Sequence, residues 1–338
     1  MQTDRVLIIH TGGTIGMLPT EQGLAPAAGF EQLLRQRLAE RLDTLPAFDL
    51  LELDPLIDSA ELSPRQWNSI AAPVIERYGD YAGFIVLHGT DTLAYTASAL
   101  SFMLQGLAKP VILTGSQIPL AERRSDADSN LLGALELAVR PEINEVCIYF
   151  NGRLLRGNRS VKMDASALSA FESPNLAPLG EVGIAISLRT DLMLAPGKPS
   201  FSSPEFDPAA VAVIRLFPGI SATLIQAVLS QPGLGGVILQ SYGVGNAPTS
   251  DAALMETLES AIAQGTTVVN LTQCSRGAVA GDTYATGAAL SRIGVISGAD
   301  LTLEAAFAKL HWLLAKKLSA AEVAMQMRQP LCGEKQAS

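Results

Sequence analysis

The sequence predicts an α/β protein with two domains, the first of which is built on a mostly parallel sheet. Short aliphatic runs alternate with amphipathic segments at the spacing that is typical of βαβ units. The alternation stops in a stretch that is rich in Pro and Ser, and then it begins again. We therefore expect an N-terminal catalytic α/β domain over 1–190, a linker over 191–210 and a smaller C-terminal α/β domain over 211–338.

Each element of the first domain follows from a local pattern. Aliphatic runs predict strands at 6–9, 48–53, 83–88, 109–113 and 145–150. Amphipathic segments predict helices at 31–42, 64–78, 93–104 and 130–139. The helix at 64–78 has a start signal, because Ser63 and Gln66 form a capping box with Pro64 at the first helical position. The segment 17–30 between the first strand and the first helix has no period and is a candidate lid.

The second domain repeats the alternation on a smaller scale. Strands are expected at 211–217, 236–241 and 267–271, and helices at 221–229, 251–264, 302–315 and 320–327. Ser319 and Glu322 form a second capping box at the start of the last helix.

Composition excludes several classes of function. The chain has 338 residues, of which 48% are hydrophobic. Its net charge of −9 argues against nucleic acid as a partner, because binding to phosphates needs a positive surface. No apolar run reaches the roughly 18 residues of a membrane span, and the run at 6–9 is too short for a signal peptide. Cys147, Cys274 and Cys332 lack the spacing of metal ligands, so we expect reduced thiols in a cytoplasmic protein.

Three of the predicted strands end in turns that combine glycine with hydroxyl side chains. These turns carry Thr14, Thr90 and Gln117, and they are expected to meet because the carboxyl ends of parallel strands lie at one edge of a sheet. A Thr hydroxyl needs a base to act as a nucleophile. Lys162 suits that role if Asp91 orients it and Thr90 passes the proton. The backbone N–H groups of the turn at Gly89 and Thr90 are candidates for an oxyanion hole.

The same residues also have purely structural interpretations. Thr11 and Thr14 suit the capping of the segment that follows them, and Thr90 with Asp91 suits the start of the helix at 93–104. Asp58 lies in a stretch that is also typical of an ordinary loop.

Lys162 closes a basic run, 153–162, and such runs are usually solvated. His10 and His88 each end a buried strand, where a hydrogen-bonded structural histidine is the simpler interpretation. No third ligand stands at a recognisable spacing, so no metal site is predicted. The Gly-rich run 11–16 also resembles a phosphate-cradling loop, but it lacks the ending of a P-loop.

Taken together, the motifs resemble those of the bacterial-type L-asparaginases. Thr11-Gly-Gly-Thr-Ile-Gly16 and Leu87-His-Gly-Thr-Asp-Thr-Leu-Ala-Tyr95 are similar to the paired signatures of that family. Further stretches resemble its cytoplasmic, type I branch: Leu113-Thr-Gly-Ser-Gln-Ile-Pro119, Arg156-Gly-Asn-Arg159, Ser241-Tyr-Gly-Val-Gly-Asn246 and Asn270-Leu-Thr-Gln-Cys274. The resemblance runs from about residue 5 to about residue 330.

The resemblance implies a fold and an activity. The fold would have a larger N-terminal domain with a flavodoxin-like parallel sheet and a smaller C-terminal α/β domain. The activity would be the hydrolysis of L-asparagine to L-aspartate and ammonia through an acyl-enzyme, without a cofactor, in a homodimer or a dimer of dimers.

The resemblance also implies roles for individual residues. Thr14 matches the nucleophile, and Thr90, Asp91 and Lys162 match the proton relay. Four residues would form the substrate-binding set. Asp58 and Ser59 would bind the α-amino and α-carboxylate groups of the substrate, Gly89 would belong to the oxyanion turn, and Gln117 would line the pocket. Asn246 would reach toward the site of a neighbouring subunit.

Two departures from the family pattern matter. The position that usually carries a lid Tyr is Leu24 here. An effector site of some type I enzymes uses a Thr and an Arg at positions that are Val161 and Gln240 in this chain. Because a neutral Gln is a poor partner for an effector carboxylate, we expect no or weak allosteric activation by asparagine. A glutamine-preferring amidase and a non-catalytic nucleotide- or phosphate-binding module remain as alternatives.

Overall fold

The computed structural model of the protein describes residues 5–20, 23–26, 29–280 and 285–336. The chain divides into two compact units, Met1–Ser203 and Pro204–Ser338. The boundary falls inside the stretch predicted as a linker, 191–210. Part of that stretch, Ser200–Phe201, is a short strand that belongs to the first unit.

The first unit contains strands and helices in alternation. The strands are β1 (Val6–His10), β2 (Met17–Thr20), β3 (Gly23–Pro26), β4 (Phe48–Glu52), β5 (Gly83–Leu87), β6 (Leu104–Gln105), β7 (Val111–Thr114), β8 (Val146–Phe150), β9 (Arg153–Arg156), β10 (Val161–Lys162), β11 (Phe171–Glu172), β12 (Gly180–Val182), β13 (Ile186–Leu188) and β14 (Ser200–Phe201). The helices are α1 (Phe30–Leu38), α2 (Gln66–Glu76), α3 (Leu93–Met103) and α4 (Ala127–Leu137).

An eight-stranded sheet organises this unit, in the order β13-β12-β9-β8-β7-β5-β1-β4. The pairs from β4 to β8 are parallel, and taken in chain order these five strands have the flavodoxin-like order 2-1-3-4-5. The strand order reverses at β1 and β5. In such sheets ligands bind at the carboxyl ends of the strands beside this switch point.

The central strands are buried on both faces. All residues of β1, β5, β7 and β8 are buried, as expected for parallel strands with helices on both sides. One large core cluster includes Ile8, Ile85 and Ile112 from the sheet together with Leu34 and Leu131 from the helices. This packed sheet is the rigid platform from which the turns of the site project.

Several details of the first unit differ from the sequence predictions, including the pairing of β2 with β3 inside the segment 17–30, for which no regular structure was predicted. α2 begins at Gln66 rather than at residue 64, and only one half of the predicted capping box is present, the bond from the Ser63 N–H to Gln66 Oε1 at 2.7 Å. β8 is followed by β9 in an antiparallel hairpin that the sequence analysis did not identify. β12 pairs with β9, and β13 pairs with β12, so that two more antiparallel strands extend the sheet.

The hairpin explains why Arg156 and Arg159 of the basic run are buried, whereas Arg153 is exposed. Arg156 is 7% exposed and Arg159 is 1% exposed. Arg156 Nε donates to Glu145 Oε2 at 2.5 Å, and the other Glu145 oxygen accepts from the Leu194 N–H at 2.8 Å. The carboxylate of the residue that directly precedes β8 therefore compensates the buried guanidinium.

The second unit is a smaller α/β layer structure. Its strands are β15 (Val211–Arg215), β16 (Gly236–Ser241), β17 (Thr267–Thr272) and β18 (Ile296–Ser297), which form a four-stranded parallel sheet in that order. Its helices are α5 (Ala222–Leu229), α6 (Ala252–Ala263), α7 (Ala285–Arg292), α8 (Leu303–Ala315) and α9 (Ala320–Arg328). The capping box of Ser319 and Glu322 at the start of α9 is confirmed. The predicted fold class is confirmed in both units.

Candidate active site

The turns after β1 and β5 are joined at the switch point of the large sheet. Thr11, the first residue after β1, is buried, and its Oγ1 donates to the carbonyl of Leu87 at 2.9 Å. Its backbone N–H donates to the same carbonyl at 3.0 Å. Thr11 therefore fastens the two strand ends to each other and points no hydroxyl hydrogen at a ligand.

Glycines allow three turns to touch at this place. A Cβ on Gly13 would lie 2.4 Å from the Gly89 Cα, and a Cβ on Gly12 would lie 2.3 Å from the Ile57 carbonyl oxygen. A Cβ on Gly89 would lie 2.3 Å from Ser59 Oγ. Gly12 and Gly13 also have positive φ angles, +123° and +86°. The three turns approach one another as closely as backbone permits.

Thr14 stands directly at this junction. It follows Gly13 and begins a 3₁₀ turn, Thr14–Gly16, which keeps its side chain half-buried. The junction of Gly13 with Gly89 places the Thr14 turn against the turn that carries Thr90 and Asp91.

Lys162 makes a compact cluster with the residues after β5. Its Nζ donates to Thr90 Oγ1 at 2.9 Å and to Asp91 Oδ1 at 2.7 Å. The side chain of Lys162 is 20% exposed and that of Asp91 is 61% exposed, whereas Thr90 is buried. The structure thus brings together three of the predicted catalytic residues, although Lys162 lies more than seventy positions further along the chain.

Gln117 orients the hydroxyl of Thr90. Thr90 Oγ1 donates to Gln117 Oε1 at 3.1 Å, and Gln117 Nε2 donates to the Ala167 carbonyl at 3.2 Å. Since the amide nitrogen is held by the loop after Lys162, the amide oxygen must face Thr90. Gln117 therefore contacts Thr90 of the predicted relay directly, in addition to its predicted place in the pocket wall.

Asp126 supports this arrangement, and no role was predicted for it from the sequence. Its carboxylate is buried and accepts the N–H groups of Gln117 at 3.0 Å and Ile118 at 2.9 Å. Asn130 donates to it from α4 at 3.2 Å. The available signal in the sequence was Ser125 and Asp126 directly before α4, since these residue types often precede the start of a helix.

Asp58 and Ser59 lie on a second 3₁₀ turn, Ser59–Glu61. Asp58 is exposed, and its Oδ1 accepts the Ala60 N–H at 3.0 Å, so it caps this turn. Ser59 is 4% exposed, and its carbonyl accepts the hydroxyl of Thr92 at 2.8 Å. Thr92 thus ties two turns together instead of capping α3, for which no side-chain cap is present.

His88 is a buried structural residue beneath the relay turn. Burial, the larger effect, lowers the pKa of His88 to about 4, against the opposing effect of a hydrogen bond with the Gly89 carbonyl. Its Nδ1 lies 2.7 Å from that carbonyl and its Nε2 lies 2.9 Å from Thr96 Oγ1. A neutral imidazole that donates from Nδ1 and accepts at Nε2 satisfies both contacts, and it fixes the peptide of Gly89.

The Gly89 turn also offers free backbone donors. Within the ranges that the structure describes, no backbone carbonyl accepts a hydrogen bond from the N–H of Gly89 or Thr90. Such N–H groups, in a turn that lies against the turn of the predicted nucleophile Thr14, suit an oxyanion hole. Among the same residues there is no group of three or more His, Cys, Asp or Glu side chains that could hold a metal ion.

The remaining predicted positions lie in both units of the chain. Asn246 belongs to the second unit, where its backbone pairs with that of Tyr242. Gln240 is in β16, and its carbonyl accepts a hydrogen bond from the Gln273 side chain at 2.9 Å. Val161 precedes Lys162 in β10 and is partly exposed. The prediction for the side chain of Leu24 falls outside the described part of the chain.

Comparisons with known proteins match both units. Residues 5–194 match the family model "Asparaginase, N-terminal", and residues 210–327 match the model "Glutaminase/Asparaginase C-terminal domain". The chain is 48% identical over 336 residues to L-asparaginase 1 of Escherichia coli K12, which covers 99% of this chain and 98% of that protein. It is 43% identical to the 60 kDa lysophospholipase of Mus musculus, over 92% of this chain and 58% of that larger protein.

The fold is shared with solved structures as well. The crystal structure of L-asparaginase I from Vibrio cholerae superposes with a TM-score of 0.90 at 47% sequence identity, and the match covers 98% of this chain and 99% of that one.

Proposed function

The chain belongs to the asparaginase family, and we propose that it hydrolyses the side-chain amide of L-asparagine to L-aspartate and ammonia through Thr14. The observation that carries the proposal is the cluster of Lys162, Thr90 and Asp91 at hydrogen-bond distance, beside the turn that begins with Thr14. Amide hydrolysis needs a nucleophile, a base and stabilisation of an oxyanion. The switch point provides residues for all three.

The reaction begins with the attack of Thr14 Oγ1 on the amide carbon. In the structure Lys162 donates to Thr90, and Thr90 donates to Gln117. Once Lys162 has released a proton, Thr90 can turn its own hydroxyl hydrogen toward the lysine and accept the proton of Thr14. Asp91 keeps the lysine amine in place throughout. The proton taken from Thr14 passes from the lysine through Thr90 to the amide nitrogen, and the collapse of the tetrahedral intermediate then breaks the C–N bond and expels ammonia. A water molecule attacks the ester of the acyl-enzyme, which releases L-aspartate and returns a proton to Thr14 Oγ1.

Two groups of contacts would hold the substrate. The N–H groups of Gly89 and Thr90 face the developing oxyanion, and one such donor is worth about a hundred- to a thousand-fold in rate. Asp58 and Ser59, whose turn touches Gly89, would bind the α-amino and α-carboxylate groups. The Asp58 oxygen that does not cap the turn is available for an ammonium group.

The setting of this activity follows the family assignment. L-Asparagine is the small-molecule substrate, and the chemistry requires no cofactor. We propose a cytoplasmic homodimer or dimer of dimers, without nucleic-acid or membrane partners, in which Asn246 reaches the site of a neighbouring subunit. Within the described residues no helix has both the length and the apolar character needed to cross a membrane.

We also propose that asparagine does not activate the enzyme allosterically, or does so only weakly. Val161 and Gln240 offer neither the hydroxyl nor the guanidinium that an effector site of this kind would use. The expected saturation curve with asparagine is hyperbolic. A sigmoidal curve that becomes hyperbolic when Gln240 is replaced would contradict this proposal.

One assay tests the proposed reaction against its alternatives. Ammonia release is measured over a range of asparagine and glutamine concentrations with the wild type and with Lys162→Met, which keeps the length of the side chain but removes the amine. We expect release from asparagine and a loss of at least about a hundredfold in kcat for the variant. A higher kcat/KM for glutamine would favour the glutamine-preferring amidase. Thermal stabilisation by nucleotides without ammonia release would favour the binding module.

A further inference from the structure

His10 is a buried imidazole that the proposed reaction does not use. It is the last residue of β1, lies four positions before Thr14, and is 1% exposed. Its partner in the sheet is Glu52 of β4. A large polar ring in this position, under the turn that carries the nucleophile, calls for a physical reason.

The ring of His10 packs against both a helix and the Thr14 turn. One face of His10 stacks on Phe30, the first residue of α1, with 4.1 Å between the ring centroids and 26° between the planes. The Nε2 and Cε1 edge of the ring meets Gly16, the last residue of the 3₁₀ turn, which also lies next to Phe30. A Cβ on Gly16 would lie 2.7 Å from His10 Nε2 and 2.8 Å from its Cε1. The imidazole therefore packs closely against the turn at Gly16.

The contacts are made by the shape of the ring more than by its nitrogens. Nδ1 lies 3.5 Å from Glu52 Oε2, which is the limit of a hydrogen bond. Nε2 is buried, and no described residue is its hydrogen-bond partner. A buried nitrogen without a partner destabilises the fold, so the position is not optimised for stability. The ring is instead placed where it limits the movement of Gly16.

We propose that His10 is a positioning residue for the nucleophile: its ring, braced by Phe30, supports the 3₁₀ turn at Gly16 and so holds Thr14 in its reactive place. The proposal rests on the proposed function of Thr14. Displacements of about 1 Å in a reacting group can cost about a hundredfold in rate, so a support that touches no substrate can control turnover.

The test compares three variants. His10→Ala removes the ring, His10→Phe keeps an aromatic ring without nitrogens, and Ile8→Ala makes a cavity on the same face of β1, two residues earlier. Activity is normalised to the folded fraction measured by urea unfolding. We expect His10→Ala to lower kcat at least about tenfold with KM within about threefold, and the two other variants to stay within about threefold of the wild type in both parameters. If His10 served stability alone, none of the three variants would have a lower kcat after normalisation to the folded fraction.

A second measurement does not depend on catalysis. The N–H of Gly16 donates to the Gly13 carbonyl at 3.2 Å, and its hydrogen exchange reports on the turn. Exchange at Gly16 is expected to accelerate in His10→Ala but not in His10→Phe or Ile8→Ala. If the wild type has no asparaginase activity, the proposed function is refuted. The exchange rate of the Gly16 N–H would still show whether His10 supports the turn. Unchanged exchange in His10→Ala, or equal losses of kcat in His10→Ala and His10→Phe, would overturn the proposal.

Discussion

Gly89→Ala is the substitution that tests most sharply whether the close contact of three turns builds the site. The new Cβ would lie 2.3 Å from Ser59 Oγ and 2.7 Å from Ser59 Cβ. Rotation of the Ser59 side chain relieves only the first clash, because the Cβ does not move with χ1. To reach an ordinary contact of 3.4 Å, the turn of Ser59 must shift by 3.4 − 2.7 = 0.7 Å, and its hydroxyl by 3.4 − 2.3 = 1.1 Å if it does not rotate.

The size of the effect follows from this displacement. A misplacement of about 1 Å costs about a hundredfold in rate, which corresponds to about 2.7 kcal/mol in the barrier. We therefore expect Gly89→Ala to lower kcat/KM for asparagine about a hundredfold, while overpacking lowers the free energy of unfolding by about 1–3 kcal/mol. The assay is ammonia release under conditions in which urea unfolding shows the variant to be folded.

Gly79→Ala provides the matched control. Nothing lies within 4 Å of a Cβ at Gly79, so this variant is expected to keep the wild-type kcat/KM and stability. If Gly89→Ala retains kcat/KM within about threefold of the wild type, the close contact does not position Ser59, and the reasoning is refuted.

Three further predictions address other parts of the site. Thr14→Ala is expected to lower kcat at least about 10⁴-fold, whereas Thr11→Ala, which loses only its bond to a backbone carbonyl, is expected to lower it by less than about tenfold; equal losses would contradict these assignments. Gln117→Met removes the acceptor of the Thr90 hydroxyl and should lower kcat up to about tenfold in steady-state assays, and an unchanged kcat would show that Thr90 needs no such partner. Because burial lowers the pKa of His88 from 6.5 to about 4, the unfolded state binds a proton below pH 6.5 that the folded state does not, so stability from this group is present above pH 6.5 and is lost toward pH 4. Urea unfolding of the wild type should therefore show about 2 kcal/mol more loss between pH 7.5 and pH 5 than unfolding of His88→Gln, and equal losses would refute this origin.

The sequence was informative wherever a local pattern alone decides the structure. Aliphatic runs predicted β1, β5, β7 and β8, because strands that are buried on both faces tolerate little else. The turns after the strands were expected to meet, since the carboxyl ends of parallel strands share an edge. The glycine contacts between Gly13 and Gly89 agree with that expectation.

Other features depend on contacts between residues that only the folding of a hairpin or a loop brings together. A solvated interpretation of the basic run was reasonable until the β8–β9 hairpin placed Arg156 against Glu145, eleven positions earlier. The support from Asp126 to Gln117 depends on how a loop folds back on itself, and no periodicity predicts that. The cluster of Lys162 with Thr90 was proposed from residue types and family resemblance, but its distances required the structure.

The most direct test of the account is to locate the acyl group during turnover. The wild type is mixed with asparagine, quenched in acid within one turnover and digested, and the peptides are weighed by mass spectrometry. The account predicts one aspartyl group esterified to Thr14, on the peptide that contains Thr11–Gly16, and none in Thr14→Ala. An aspartyl group on Thr90 or on another residue would contradict it.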